Sequence, residues 1–515
     1  MHIAKPLEVV GFDDPANPLN SLETTNQLAY ISAYLRNLGV TFVLVEQNYF
    51  DRDFLSEFSS FYSLSAQGYP NICKRIHFFS SAHLDRDVVA RAISEEEDVL
   101  DNLQDTYLGF VVIRPLASSP FGRTVLRWFD DTNKENPRII EPSRTYECHI
   151  GGITLRVNGI AWQQQDSGVA ACATVGIWTM LHSSAFDAAH AIPTTADITK
   201  AAHKSASLGS RMFPSNSLTA EQLMEAVKEH GFAPVACSGD LPEGYFSLER
   251  LGATCAAFLR SGYPVLILGK HNRPGIGHAL CAVGFREPSQ PNVKPRECGL
   301  FDGALEILYI HDDNIGPNVR FRIVSHADYN GVTGAALVHE PPEYVDEKNA
   351  PNLDYPEFFP TTLIVAVHEE LRISPDNLHV DGHSLTFQIG HAINQAYVDS
   401  KLEPVGFLFS TRFIRLPDYF SEELRTILGD KPAILAQTRL ALLEKVPPMS
   451  LHVGVVRIAI PNSSVLLDIL FDTTDTDRNR SVFAHIVYDN SIETVLSAID
   501  EPIRLKVLGV PVKAY

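Results

Sequence analysis

The stretch IAWQQQDSGVAACATVGIWTML (160–181) crowds polar residues ahead of one thiol, Cys172, which opens an apolar, alanine-rich run. A helix start is where a cysteine gains reactivity, because the positive end of the helix and its free N–H groups favour a thiolate. A cysteine nucleophile also needs an imidazole to shuttle its proton and a carboxylate or amide to orient that imidazole. The chain supplies both further on: His278 in GIGHALCAVGF, and Asp312 at the end of LEILYIHDD with Asp313 beside it. Gln164, Gln165 and Asp166 lie just ahead of the thiol, where an oxyanion donor would stand. Each residue alone has a plainer reading: a core cysteine, a satisfied core histidine and a strand-ending turn acid.

These side chains need elements to carry them. ACATVGIWTMLHSSAF (171–186) is long enough for a helix that begins near Cys172. SLTAEQLMEAVKEHG (217–231) predicts a helix with Thr219 as cap, Gln222 at the capping-box position and Gly231 as stop. FSLERLGATCAAFLRSG (246–262) predicts another. YPVLILGK, HALCAVGF and LEILYIHDD read as buried strands, the second opening on His278 and the third closing on Asp312. Upstream, helical periods surround VTFVLVEQ within 22–62, YLGFVVIRP (107–115) reads as a buried strand, and ECHIGGITLRV alternates like a strand pair. Breaker-rich DDTNKENPRIIEPS (130–143) and the five-proline stretch 339–362 divide the chain. We expect an N-terminal α/β region over 1–145, a central domain over 146–338 and a C-terminal α/β region over 345–515.

Pieces of the central segment resemble the papain-like cysteine peptidase superfamily, and within it the C39-like (bacteriocin-processing-peptidase-like) branch. The matching stretches are QQQDSGVAAC, SGYPVLIL, GHALCAVGF and HDDNIGP, in that order. The resemblance implies an α+β fold, with a cysteine-bearing helix packed on an antiparallel sheet that carries the histidine and acid. It implies Cys172 as nucleophile, His278 as general base, Asp312 as orienting acid and Gln165 as oxyanion donor. The family glutamine usually stands six residues before the cysteine; here that place is Asp166, with Gln165 seven before and Gln164 a further candidate. The family's Asp-Pro pair is Asp312–Asp313, so either acid is open as the partner of His278. The implied activity is cysteine-dependent hydrolysis of an amide, peptide or isopeptide bond through a thioester, on a peptide or protein substrate and with no cofactor. A deamidase or acyl-transferase on the same triad, or an inactive fold that serves as a binding or regulatory protein, are the alternatives.

Composition narrows the field. The 515 residues carry a formal net charge of −20, which repels phosphate backbones and argues against nucleic-acid binding. The first residues lack an apolar leader, and no apolar run is long enough for a membrane span. Seven cysteines without a CxxC fit free thiols in a reducing, bacterial cytoplasm. His271, His278 and His311 match no common zinc spacing, so no metal is expected; His271 and His311 read as rim residues. HVDGH (379–383) reads as a turn because of its Asp-Gly, and DTTDTDRN (472–479) as a polar turn and not a calcium loop. RPLASSPFGRTVLRW (114–128) carries three arginines, read as flanking a core. P-loop, GxGxxG and GxSxG patterns are absent from the sequence.

Overall fold

In the computed structural model the chain is mixed α and β, with antiparallel pairing dominant. The residues described are all except 1–6, 67, 167, 187–190, 205–211, 214–217, 276, 290–292, 344–354, 447–449, 464, 475–481 and 498–500. The last part of the acidic run 472–479 therefore lies outside them.

The first part is a five-stranded antiparallel sheet of Leu7–Gly11, Phe42–Tyr49, Cys73–Phe79, Tyr107–Ile113 and Phe121–Leu126 in chain order. YLGFVVIRP supplies its fourth strand, buried throughout. ECHIGGITLRV forms the expected hairpin, Arg144–Ile150 with Ile153–Gly159. Its turn is Gly151–Gly152, both at positive φ (55° and 98°), which side chains rarely tolerate. This hairpin is tied to the first sheet and to the helix Glu97–Thr106 beside it: Arg75 donates to the His149 carbonyl at 2.9 Å, and Gln104 to that of Arg156 at 2.8 Å.

The central sheet closes on itself. Val265–His271, Gly277–Arg286, Ile307–Asp312, Gly316–Ala327, Thr333–His339 and Phe358–Val367 follow one another, and the last pairs back with the first. Ala233–Ser238 adds to the outer side of Phe358–Val367. The strand Phe358–Val367 lies past the expected junction near 345, and its first half falls inside the stretch read as a proline-rich connection. Pro360 is tolerated because it faces Gly269 at a bulge, where a ladder hydrogen bond is already lost. Gly269 is needed there as well: a Cβ would fall 2.2 Å from the Phe359 carbonyl oxygen.

Cys172–Leu181 is apolar on every side and is buried from Ala173 onward, as a helix packed all round must be. It lies on the central sheet: a Cβ at Gly176 would sit 2.3 Å from Leu266 Cδ1. Met180 Sδ accepts the Ala366 N–H at 3.1 Å. The Thr219–Gln222 capping box forms as expected, on the helix Ala220–Glu229.

A third sheet orders Cys298–Leu300, Phe407–Arg415, His452–Ala459, Val465–Asp472, Val482–Val487 and Val510–Lys513. Its first strand comes from the segment assigned to the central domain, so the parts interlock. The helix Pro375–Asp399 covers this sheet and contains HVDGH, which is helical and not a turn. Gly382 is used there for close packing, since a Cβ would meet the Phe409 ring at 3.2 Å. No helix among the described residues is long and apolar enough to cross a membrane.

Candidate functional site

Cys172, His278 and Asp312 converge. The helix start brings the half-buried thiol, the strand Gly277–Arg286 brings the imidazole and the end of Ile307–Asp312 brings the acid. The Cys172 thiol is close enough to the His278 ring to help raise its pKa. His278 Nε2 lies 3.3 Å from Asp312 Oδ1, and the Asn314 side-chain amide is 3.1 Å from the same nitrogen. Nε2 is therefore the ring nitrogen turned to the acid.

The two acids are not equivalent. Asp312 is fully buried and collects donors: the Tyr355 hydroxyl at 2.5 Å on Oδ2, the Asn314 backbone N–H at 2.9 Å and His278 on Oδ1. Trp162 Nε1–H fixes its carbonyl at 3.0 Å. Burial pushes its carboxyl up, but the hydrogen bonds and charge of His278, with Tyr355, prevail and hold it below the usual range. Asp313 Oδ1 is also 3.3 Å from His278 Nε2, yet neither of its oxygens is in line for a hydrogen bond. Burial drives Asp313 well up, so Asp312 holds the charge and is the partner that orients the ring. Burial alone would lower His278; the neighbouring acids and the Cys172 contact outweigh it and raise it well above the ordinary histidine value.

The three polar residues ahead of the thiol have separate places. Gln165 reaches the site, donating from Nε2 to Asn314 Oδ1 at 3.3 Å. Gln164 does not: its Oε1 accepts the Phe121 N–H at 3.3 Å, facing the first sheet. Asp166 is no donor either. Its Oδ1 accepts the N–H groups of Gly168 and Val169 at 2.7 Å and of Ala170 at 3.3 Å, curling the loop that delivers Cys172. The first helical turn keeps its N–H groups free of intrahelical partners, so backbone donors are available beside the thiol.

That loop is fastened from the N-terminal part. Arg114 is buried and donates to the Gln164 carbonyl at 2.9 Å, to Glu57 Oε2 at 3.2 Å and twice to the Ser119 carbonyl; Asp166 Oδ2 lies 3.5 Å away. Glu57 in turn accepts the Thr195 hydroxyl at 2.6 Å. Arg114 and Arg123, which pairs with Asp51 at 2.8 Å, are thus ion-pair partners within the protein.

His271 and His311, read as rim residues, are buried. The His271 ring stacks on His278 with centroids 5.5 Å apart and planes 21° off parallel. His311 bridges the Ile160 carbonyl and the Asn318 N–H and is held neutral by burial, with its pKa pushed down to about 3. Tyr355 and Asn314 escaped sequence reading. Asn314 had a faint signal two residues past Asp312; Tyr355 sits among breakers with none.

Compared with models of known families and with curated proteins, the chain matches none.

Proposed function

We propose that the protein is a cysteine-dependent hydrolase of amide, peptide or isopeptide bonds, built on a papain-like core and working through Cys172, His278 and Asp312. The observation that carries this reading is the meeting of a half-buried helix-start thiol with a buried imidazole and a buried acid that holds its charge, brought together from three separate elements. In the reaction the Cys172 thiol gives its proton to His278, and its sulfur attacks the substrate carbonyl. The oxyanion forms beside the free N–H groups of the helix start and the Gln165 amide. Collapse of the intermediate breaks the C–N bond, and the departing amine takes the proton from His278. Water, deprotonated by His278, then opens the thioester and frees the acid. Asp312, held by Tyr355, keeps the ring in line throughout. Deamidation and acyl transfer follow the same steps with a different leaving group or acceptor. Peptides and proteins fit this chemistry as substrates, and the free cysteines fit a reducing cytoplasm.

The test is thiol labelling by iodoacetamide at neutral pH, read peptide by peptide by mass spectrometry. Cys172 should label faster than Cys298, the other partly exposed cysteine among those described, and the advantage should vanish in His278→Ala. Equal rates for the two cysteines, unchanged by His278→Ala, would leave Cys172 as a packing residue.

A further inference from the structure

Far from Cys172 along the chain, a second group of ligating side chains comes together where the central sheet meets the third. His368 follows the end of the strand Phe358–Val367, Glu370 stands in the turn after it, and His452 opens the strand His452–Ala459. One ligand atom from each lies within 4.8 Å of the others. His452 Nδ1 is 3.7 Å and His368 Nδ1 4.0 Å from Glu370 Oε2, and the two rings are 4.9 Å apart.

Beyond this loose approach to Glu370, these nitrogens make no hydrogen bond. His452 is only 3% exposed, yet its Nδ1 makes no hydrogen bond, and neither does that of His368. A buried, unpartnered ring nitrogen costs free energy unless something fills the space it faces. Glu370 is 44% exposed in its side chain and His368 37%, so the group opens to solvent on one side while His452 closes the other.

We propose that His368, Glu370 and His452 bind a divalent transition cation, with zinc the best fit. Two imidazoles and one carboxylate are a donor set that zinc accepts in four-coordinate sites, the fourth place being left to water. Calcium and magnesium prefer all-oxygen shells and are disfavoured by two nitrogens. The cation would span two sheets, joining the exit of Phe358–Val367 to the first residue of His452–Ala459. The strand it anchors is the one whose Ala366 N–H meets Met180 on the cysteine helix.

The experiment uses the full chain, stripped of metal by chelation and dialysis. Zinc is titrated by calorimetry, and cobalt(II) by visible absorption. One equivalent is expected, and the cobalt spectrum should lack the thiolate charge-transfer band, which separates this site from the cysteines. His368→Gln and Glu370→Gln, both at partly exposed positions and so little threat to folding, should each weaken zinc at least tenfold, as should His452→Gln. His278→Ala should leave the stoichiometry unchanged, which separates this site from the His278, Asp312 and Asp313 group. Absence of zinc binding, a thiolate band, or affinity unaltered in both His368→Gln and Glu370→Gln would overturn the proposal.

Discussion

Replacing Arg114 by leucine tests whether the N-terminal part holds the cysteine loop. The guanidinium is buried between Glu57 and Asp166 and also serves the Ser119 and Gln164 carbonyls. Leucine keeps much of the volume but strands two buried carboxylates. Breaking a buried ion pair from one side costs about 3–5 kcal/mol. The lost carbonyl contacts act in the same direction, while protonation of Glu57 offsets part of the loss. Burial already raises Glu57, with Arg114 opposing; without Arg114 it rises further. An acid whose folded pKa is raised loses stability as pH climbs through the interval between its unfolded and folded values. The deficit should therefore be larger at about pH 8 than at about pH 5. A deficit of ~4 kcal/mol lowers the melting midpoint by roughly 4–6 °C when interlocked parts of about 310 to 515 residues unfold together. Calorimetric scans and urea unfolding at both pH values read this directly. Adding Glu57→Gln should recover part of the loss. A deficit under ~1 kcal/mol, or one independent of pH, would refute the buried ion-pair account.

Gly176→Ala should cost about 1–3 kcal/mol, because Leu266 is fully buried and cannot retreat from the new methyl; urea unfolding checks it, and shortening Leu266 to valine in the same chain should restore most of the loss. His278 has a folded pKa above its unfolded value, so its stabilisation is complete below about pH 6.5 and is lost as pH rises through the folded value. Melting midpoints measured from about pH 6 to about pH 9 should fall more steeply for the natural protein than for His278→Gln, and parallel curves would contradict the assignment.

What was legible in the sequence was local. The Thr219–Gln222 cap, the hairpin at Gly151–Gly152 and the strands carrying His278 and Asp312 rest on short-range rules that tertiary packing left intact. Cys172 was legible because a polar-to-apolar change marks a helix start. Two readings failed because tertiary structure overrode a local signal. Gly382 sits inside a helix because Phe409 leaves no room for a side chain, so HVDGH is no turn. Pro360 sits in a strand because the bulge at Gly269 asks for no donor. Asp166, six residues before the thiol, is by contrast taken up by three backbone N–H groups of its own loop. Tyr355, the donor on Asp312, and the Glu57–Arg114–Asp166 group join residues far apart in the chain, and no spacing rule announces such meetings.

The interlocking of the parts bears on how the protein could be dissected. A fragment cut at the breaker-rich stretches, 146–338, would contain Cys172, His278 and Asp312 and look self-sufficient on paper. It would lack the arginine that fastens the loop before the thiol, the tyrosine that holds the acid and the strand that closes the central sheet. It would also carry Cys298–Leu300 as an orphan edge, stripped of its partner Phe407–Phe409. The smallest piece able to keep this geometry therefore begins upstream of Glu57 and ends beyond Val367. The breaker-rich stretches that punctuate the sequence are joints of the chain, not of the folded body.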